Sequence, residues 1–406
     1  MKIGIVGLGY VGLVTTAVLA DQGHYIVGVD IDENKVKGLS CNRIPIYEPG
    51  LEELISRNRE RLYFTNKYDD LSDVDLVFIT VSTPTVNGRI YLDYVFSAAK
   101  SLQVLPKDSI IVVKSTVVPG TSRKVKEISG REVVTNPEFL REGSAIQDTI
   151  RPDRIIIGSE NKEAGNVVEE LWKFTGSPII RTTLEEAEMI KYAANSFLAL
   201  KISFANEIAN LCEKLPNCDA KIVMKAIGMD KRISPYFLDI GLGWGGSCFP
   251  KDTQAFVSFA KDIGERLRTV EAAIEVNNER PIRAVNLLKK LMGSLKGRKV
   301  CVLGVAFKPN TDDTRESMAI KVIKKLLEEG AIVIAYDPKA RTDLVNMLSS
   351  KEECIRESEG VVITTELQEF YGIEDLLKNK YVVDGRRVLR KELMDKRYFR
   401  AIGLGE

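Results

Sequence analysis

The sequence predicts an α/β fold in which two Rossmann-like parallel-sheet domains are joined by a long central helix. Strand-length segments rich in Val and Ile alternate with helix-like segments toward both ends of the 406-residue chain, and this alternation is typical of a parallel sheet covered on both faces. The middle of the chain instead shows apolar residues at helical spacing. We therefore expect a sheet domain at residues 1–182, a helical domain at 183–294 and a second sheet domain at 295–406.

The strand patterns set the order of elements in both sheet domains. Those of the first domain lie at 2–6, 25–30, 75–81, 109–114 and 155–158, and those of the second at 299–304, 332–337, 361–364 and 381–384.

The central segment is predicted to hold two helical stretches. Thr183 and Glu186 form a capping box that opens the first, which lacks Gly and Pro as far as about Lys214. A second stretch, about 253–293, is expected to break at Gly264 and Pro281. This apolar, all-helical segment suits packing against a partner subunit as a dimerisation domain, and it fits an interdomain core equally well.

Composition excludes several classes of function. Lys and Arg number 58 against 57 Asp and Glu, and this balance argues against a nucleic-acid or membrane-surface role. No apolar run approaches the ~20 residues of a membrane span. The six cysteines show no CxxC spacing and no secretion signal precedes them, so we expect free thiols in a reducing cytoplasm. His24 is the single histidine, which excludes Cys-His catalysis, and no metal site is expected.

A dinucleotide fingerprint follows the first strand. In Gly7-Leu8-Gly9-Tyr10-Val11-Gly12, Gly7 permits the tight turn, Gly9 lets the backbone approach a pyrophosphate, and Gly12 lets the helix pack closely on the strand. Asp30 ends the next strand, where a carboxylate accepts hydrogen bonds from ribose hydroxyls and repels a 2′-phosphate. The pattern predicts NAD as the cofactor.

Cys248 lies in a loop that predicts nucleophilic chemistry. Four glycines occur in the six residues 241–246 before it, and Lys251 and Asp252 follow it. Glycines let the backbone lie against a ligand, and a cation or a helix N-terminus favours the reactive thiolate. Asp252 is then a candidate base. The other five cysteines are interpreted as structural.

Two further groups of side chains are candidates for the same site. Lys191 and Asn195 stand four residues apart on the central helix and could donate hydrogen bonds to a developing oxyanion. Acids and cations follow strands elsewhere, at the carboxyl edge where α/β sheets bind ligands. They lie in Asn136–Gly143, which contains Glu138 and Glu142, in Ala306–Arg315, and in Asp384–Arg387.

These motifs together resemble the nucleotide-sugar dehydrogenases, and among them the UDP-glucose 6-dehydrogenase family. The resemblance covers nearly the whole chain. It is carried by Gly7–Gly12, Tyr47–Leu51, Val81–Pro84, Lys114–Thr121, Asn136–Gly143, Gly245–Asp252 and Val302–Arg315. It implies a cytoplasmic homodimer of polysaccharide biosynthesis that oxidises the primary alcohol of a UDP-sugar to an acid with two NAD, through a thioester on Cys248.

The resemblance also implies roles for individual residues. Lys191 and Asn195 match the oxyanion pair, and Asp252 with Glu138 handles the proton and the hydrolytic water. Cofactor contacts are expected from Gly7, Gly9, Tyr10, Val11, Gly12, Asp30, Lys35, Thr83, Thr116, Glu142, Lys251 and Arg315. Substrate contacts are expected from Phe139, Leu140, Lys191, Asn195, Arg232, Gly245, Lys308 and Arg386, with Arg232 reaching the site from the neighbouring subunit.

Three alternatives differ from this interpretation. A two-electron β-hydroxyacid-type dehydrogenase would share the Lys/Asn pair but leave the Cys248 loop unexplained. A non-catalytic NAD-binding scaffold would leave Cys248, Lys191 and Asp252 structural. The same chemistry on UDP-N-acetylmannosamine or GDP-mannose stays open, because Ile240 departs from the proline or alanine frequent in the family.

Overall fold

A computed structural model describes residues 1–405 and divides into two compact units. The first unit holds residues 1–194 together with Gln254–Phe259, and the second holds the rest of the described chain. Each unit contains one large sheet made mostly of parallel strands, which confirms the predicted α/β fold class. The division into three domains at 1–182, 183–294 and 295–406 remains a prediction.

Ten strands belong to the first unit. They are Lys2–Val6 (β1), Tyr25–Val29 (β2), Leu62–Thr65 (β3), Leu76–Ile79 (β4), Thr85–Val86 (β5), Arg89–Ile90 (β6), Ile110–Val113 (β7), Glu132–Thr135 (β8), Ile155–Ser159 (β9) and Ile179–Thr182 (β10). Eight form a sheet in the order β10-β9-β8-β7-β4-β1-β2-β3, and only the β8–β9 pair is antiparallel. The short strands β5 and β6 pair as a separate antiparallel ribbon.

Seven helices accompany this sheet. They are Tyr10–Asp21 (α1), Glu33–Ser40 (α2), Leu51–Arg57 (α3), Asp93–Ser101 (α4), Thr121–Ser129 (α5), Ala145–Ile150 (α6) and Lys162–Trp172 (α7). Alternate residues of β1 enter two separate apolar clusters: Ile3 and Ile5 belong to one, and Val6 to the other. Because both faces of a parallel sheet are covered, its strands are buried on both sides.

Four helices follow in the middle of the chain. They are Leu184–Cys212 (α8), Ala220–Gly228 (α9), Phe249–Asp262 (α10) and Arg268–Met292 (α11). The capping box forms, since the Glu186 N–H donates to Thr183 Oγ1 over 3.2 Å and the Thr183 N–H donates to the Glu186 carboxylate over 3.0 Å. The expected interruption at Gly264 is present between α10 and α11. Within residues 1–405, no helix combines the length and apolar character needed to cross a bilayer.

The break predicted at Pro281 is wrong, because α11 runs through it. A proline inside a helix removes one hydrogen bond and costs about 3 kcal/mol. Buried side chains on the same helix offset this cost. Arg280, Ala284 and Leu288 are each 0% exposed, so tertiary packing holds the helix on both sides of the proline.

The second unit contains a six-stranded parallel sheet. Its strands are Lys299–Leu303 (β11), Ile332–Tyr336 (β12), Asn346–Met347 (β13), Gly360–Ile363 (β14), Tyr381–Asp384 (β15) and Phe399–Ala401 (β16), with helices Met318–Glu328 (α12) and Lys351–Arg356 (α13). The strand order is β13-β12-β11-β14-β15-β16. The predicted restart of the βα pattern at Lys299 is therefore confirmed.

The expectation that all six cysteines are free is wrong. Cys301 on β11 and Cys354 on α13 form a disulfide, with Cα atoms 5.6 Å apart and both residues 0% exposed. The two residues are 53 positions apart, so spacing gave no sign of the bond. The packing of α13 on β11 brings them together. Cys41, Cys212, Cys218 and Cys248 are free thiols.

Candidate active site

The glycine turn between β1 and α1 has the shape that a dinucleotide phosphate requires. A Cβ on Gly12 would lie 1.9 Å from the carbonyl oxygen of Gly7, so only glycine lets the turn close. A Cβ on Gly9 would meet nothing within 4 Å, which leaves open space beside the N-terminus of α1. Helix N-termini attract phosphate through their free N–H groups and dipole. The turn therefore fits the pyrophosphate of NAD.

Other predicted cofactor residues surround this turn in the first unit. The buried Asp30 carboxylate accepts a hydrogen bond from the Leu8 N–H over 2.8 Å and pairs with Lys35 Nζ at 2.7 Å. The Thr83 hydroxyl donates to the carbonyl oxygen of Thr116 over 2.8 Å. The structure thus connects Asp30 with Lys35, and Thr83 with Thr116, as pairs.

Glu48 fastens the loop containing Glu142 to α1. Its carboxylate accepts hydrogen bonds from the N–H groups of Gly143 and Ala145, each over 2.7 Å, and from the Tyr10 hydroxyl. Burial and the neighbouring Glu48 carboxylate raise the pKa of Tyr10 above its ordinary value. In the sequence, Glu48 belongs to one of the family motifs but was given no role. The sequence feature that could have identified Glu48 is an acidic residue between Tyr47 and Pro49.

Glu138 and Lys191 form a buried ion pair. Lys191 Nζ lies 3.0 Å from the Glu138 carboxylate and 2.6 Å from its backbone oxygen. Burial raises the pKa of Glu138, but the charge of Lys191 and the hydrogen bond from the Leu140 N–H outweigh burial, and the net pKa lies below its ordinary value. Glu138 is therefore an ionised acceptor, suited to holding a water molecule or an ammonium group.

Lys114 is a buried cation near this pair that sequence reasoning left without a role. Its Nζ donates to Asn136 Oδ1 over 3.2 Å and lies 4.9 Å from the centre of the Trp172 ring. Burial lowers the pKa of Lys114 to about 8, against the opposing attraction of Glu138. The first unit thus gathers two cations around one carboxylate.

Phe139 shares this region with the ion pair. The Arg154 guanidinium lies 3.7 Å from the centre of the Phe139 ring, and Lys191 Nζ lies 5.3 Å from it. A ring faced by cations is attracted to them through its quadrupole. These contacts set the position of the loop that also carries Leu140, the other predicted substrate residue.

Cys248 belongs to the second unit and directly precedes α10. The first helical hydrogen bond runs from the Asp252 N–H to the Cys248 carbonyl over 2.8 Å, and Ser247 Oγ lies 3.6 Å from the sulfur. The N-terminus of a helix stabilises a thiolate. Because Cys248 is half-buried and lies at the N-terminus of α10, its sulfur is placed to act as a nucleophile.

Asp252 contacts two other predicted site residues, Asn195 and Lys251. Asn195 Nδ2 donates to one carboxylate oxygen over 2.6 Å, and Lys251 Nζ lies 2.5 Å from the other. Asp252 is 1% exposed. The predicted residues Asn195, Lys251 and Asp252 therefore form one hydrogen-bonded group, one turn into the helix that Cys248 opens.

Side chains from α8 and α11 hold the start of the glycine-rich loop. Asn206 Oδ1 accepts a hydrogen bond from the Gly241 N–H over 2.9 Å, and Arg280 Nε donates to the Gly241 carbonyl over 3.0 Å. Asn277 accepts from the Trp244 N–H and donates to its carbonyl, both over 2.8 Å. These residues were missed in the sequence, where helix patterns alone do not reveal which polar side chains turn inward.

The end of the same loop packs against the β11–α12 connection. Gly246 has a φ of +84°, and a Cβ there would lie 2.6 Å from the Phe307 ring. A Cβ on Gly245 would lie 2.2 Å from the carbonyl oxygen of Glu316. Lys308 Nζ lies 5.4 Å from the centre of the Phe307 ring, and Arg315 pairs with Asp313 at 2.6 Å. Gly245, Lys308 and Arg315 thus fall in one region.

The two remaining predicted substrate residues differ in their surroundings. Arg386 Nη1 donates to the Gly243 carbonyl over 3.3 Å, which places this cation beside the glycine-rich loop. The side chain of Arg232 is 88% exposed and pairs with Asp230 two residues away. The structure therefore brings Arg386 to the loop and leaves Arg232 pointing to solvent within its own chain.

Three family models match consecutive parts of the chain. They describe the UDP-glucose/GDP-mannose dehydrogenase family: its NAD binding domain matches residues 1–175, its central domain 185–279 and its UDP binding domain 301–391. The chain belongs to the UDP-glucose/GDP-mannose dehydrogenase family. It is an NAD-dependent oxidoreductase of that family, as the glycine turn and Cys248 predicted.

Individual members of the UDP-glucose/GDP-mannose dehydrogenase family resemble this chain along its whole length. UDP-glucose 6-dehydrogenase TuaD of Bacillus subtilis is 43% identical over 97% of this chain and 90% of its own. UDP-glucose 6-dehydrogenase AglM of Haloferax volcanii is 40% identical over 97% and 99%. The solved UDP-glucose dehydrogenase of Pyrobaculum islandicum superposes with a TM-score of 0.92 at 40% identity, covering 100% of this chain and 96% of that one.

A dehydrogenase for a different sugar also has this fold. The UDP-D-ManNAc dehydrogenase of Pyrococcus horikoshii superposes with a TM-score of 0.90, at 27% identity, over 99% of both chains. The architecture is thus shared by dehydrogenases of different sugars and does not by itself distinguish their substrates.

Proposed function

We propose that this protein is a UDP-glucose 6-dehydrogenase, which oxidises UDP-glucose to UDP-glucuronate in a four-electron reaction. The observation that carries the proposal is the thiol of Cys248, which is in no disulfide and lies at the start of α10, one turn from the Asn195–Asp252–Lys251 group. The identities of about 40% with UDP-glucose 6-dehydrogenases support UDP-glucose over the sugar of the 27% identical relative.

The residues suit a reaction in two oxidation stages. The C6 alcohol becomes an aldehyde, and the sulfur of Cys248 adds to its carbon to give a thiohemiacetal. Oxidation of that adduct gives a thioester, and water releases the acid. NAD, when bound, supplies the hydride acceptor for each oxidation. Holding the aldehyde beside the thiol can provide an effective concentration of about 10⁵ M or more.

Four polar side chains have roles in this scheme. Lys191 and Asn195 donate hydrogen bonds to the oxygen that becomes negative on C6, and such donors are worth about 10²–10³-fold in rate. Asp252 takes up the proton, and ionised Glu138 positions the hydrolytic water.

The remaining predicted residues bind the two nucleotides. We assign NAD to Gly7, Gly9, Tyr10, Val11, Gly12, Asp30, Lys35, Thr83, Thr116, Glu142, Lys251 and Arg315. We assign the UDP-sugar to Phe139, Leu140, Lys191, Asn195, Gly245, Lys308 and Arg386, together with Arg232 of a second copy.

A homodimer is part of the proposal. Phe197, Phe204 and Leu211 on α8 are 62%, 47% and 61% exposed. A spacing of seven residues places them on one stripe of the helix. Apolar residues repeated along one stripe mark a surface that another protein covers. A second copy of this chain covers it and supplies Arg232, whose own chain leaves it exposed.

A cytoplasmic location belongs to the same proposal. The mechanism needs the thiol of Cys248 in its reduced form, and cytoplasmic thiol systems keep accessible cysteines reduced. Cell fractionation with an antibody to the protein tests this location, and recovery of the active enzyme outside the cytoplasm would contradict it.

The ratio of NADH formed to sugar consumed tests the activity. UDP-glucose should yield two NADH per molecule and no free aldehyde. UDP-N-acetylmannosamine and GDP-mannose, tested in parallel, should react much more slowly. A ratio of one with aldehyde accumulating would indicate a two-electron dehydrogenase, and faster oxidation of another sugar would replace UDP-glucose as the substrate.

A further inference from the structure

A small, positively charged cavity lies in the second unit. Its volume is about 180 Å³, and its walls come from the end of α8, from α11, and from β16 with the residues after it. None of the lining residues belongs to the glycine-rich loop or to the residues assigned above to NAD or the UDP-sugar. The cavity is therefore separate from the proposed active site.

Cations outnumber acids around this cavity. Among residues 1–405, Lys214, Arg283, Lys290 and Arg400 line it against a single carboxylate, Glu213. The Glu213 carboxylate already has two partners: it pairs with Arg283 at 3.1 Å and accepts a hydrogen bond from a backbone N–H over 2.9 Å. The described lining residues thus carry three positive charges in excess, which a multiply charged anion would neutralise.

One buried donor at the cavity has no acceptor within the described chain. Arg283 Nε is buried and has no hydrogen-bond partner in residues 1–405. A buried donor without an acceptor costs about 1–3 kcal/mol, so the Arg283 guanidinium is incompletely satisfied where this residue lines the cavity. Lys214 and Lys290 also line the cavity, and both side chains are exposed.

The size and chemistry of the cavity point to one class of ligand. Ammonium and guanidinium groups are the donors that proteins use for phosphate oxygens. Pockets for drug-sized ligands begin at roughly 300 Å³, so this cavity suits a small ion rather than a nucleotide. We propose that it binds a small phosphate-bearing anion, such as inorganic phosphate or pyrophosphate.

The helices that line the cavity also hold the loop before Cys248. Arg283 lies three residues beyond Arg280, which donates to Gly241. Glu213 directly follows α8, the helix whose Asn206 accepts from the same glycine. An anion that draws Arg283 away from Glu213 would act on the helix that positions the loop.

Calorimetric titration with inorganic pyrophosphate tests the site. The full-length protein is first saturated with UDP and NADH, so that the proposed nucleotide sites are filled. One pyrophosphate per chain should bind, and the double variant Lys214→Gln/Lys290→Gln should bind at least about 10-fold more weakly, the equivalent of about 1.4 kcal/mol. Lys324→Gln, an exposed lysine on α12, is the matched control and should bind like the unmodified protein.

Two outcomes would overturn the proposal. One is equal affinity for pyrophosphate in the double variant and the control, which would place the ion elsewhere. The other is no binding up to millimolar pyrophosphate. Both substituted lysines are exposed, and equal midpoints of thermal unfolding for all variants would confirm that the fold is retained. Because the assay measures binding, its failure leaves the proposed dehydrogenase activity untouched.

Discussion

Asp252 is held by neighbours on both of its carboxylate oxygens. Asn195 donates to one oxygen and Lys251 pairs with the other, while the backbone N–H of Asp252 joins it to Cys248. A carboxylate fixed in this way has one orientation relative to the helix that Cys248 opens. Cys248, Asn195, Lys251 and Asp252 therefore form one group rather than four independent residues.

Lys114 gives a prediction about stability and pH. Burial lowers its pKa from 10.5 to about 8, so between these values the unfolded chain keeps a proton that the folded chain has lost. Stability then rises with pH, because the unfolded state binds more protons. Relative to Lys114→Met, the unmodified protein should gain about 2–3 kcal/mol in free energy of unfolding between pH 7 and pH 10.

Urea unfolding of both proteins at several pH values measures this difference. The Met variant serves as the reference, because every other titrating group is shared. A difference that stays constant from pH 7 to pH 10 would show that Lys114 titrates normally in the folded protein.

At the scale of elements, α8 and α11 form a frame for the glycine-rich loop. Asn206 from α8 and Asn277 and Arg280 from α11 bond to the backbone of Gly241 and Trp244. The hydroxyl of Ser203 accepts from the Trp244 indole over 3.0 Å. The loop is thus fixed at its first residues and ends at the thiol.

Removing Asn277 should loosen this frame. Asn277→Ala leaves the N–H and carbonyl of Trp244 buried without partners, and we expect a loss of about 2–4 kcal/mol in free energy of unfolding. Alkylation of Cys248 should become less sensitive to UDP-glucose. Asn278→Ala, at the exposed next position of the same helix, is the matched control. If both variants unfold at the same denaturant concentration, the hydrogen bonds of Asn277 do not stabilise the glycine-rich loop.

Sequence patterns predicted the large elements well and the small ones poorly. β1, β2 and the capping box at Thr183 were readable because each has a local signal. The edge strands β3 and β16 were not, because short strands draw their stability from neighbours distant in sequence. The helix break predicted at Pro281 was wrong for the same reason. Local propensity favours a break there, but the packing of the buried face of α11 outweighs it.

The candidate site shows the same division. Glycines and Cys248 have patterns that sequence alone can interpret, since few other roles require them. The roles of Glu48, Lys114 and Asn277 come from partners 95, 22 and 33 positions away, and no spacing rule relates such residues. The Cys301–Cys354 disulfide was missed for the same reason, because its cysteines are 53 positions apart.

At the scale of the whole molecule, the disulfide should stabilise the second unit. It closes a loop of 53 residues, and the loop-entropy model gives roughly 4 kcal/mol for that length. Cys301→Ala/Cys354→Ala should lower the free energy of unfolding by about this amount, with Cys41→Ala as the control. Thiol titration of the denatured, unreduced protein should count four thiols, since four cysteines are free. Six thiols would show that the bond is absent.

Assembly gives a test of its own. Cys248→Ala and Arg232→Ala should each be nearly inactive as homodimers. When the two are unfolded together and refolded, about half of the dimers are mixed, and each mixed dimer has one complete site. Activity should then recover to about a quarter of that of the unmodified protein. No recovery, with mixed dimers detected by mass, would place Arg232 in the site of its own chain.

Rapid acid quenching during turnover tests the role of Cys248 most directly. Unmodified enzyme mixed with UDP-glucose and NAD is quenched within milliseconds and digested, and the peptide that contains Cys248 is weighed. We expect this peptide to carry the mass of a UDP-glucuronyl group as a thioester, lost on treatment with hydroxylamine. An unmodified Cys248 peptide throughout turnover, together with normal acid production by Cys248→Ala, would contradict the thioester mechanism.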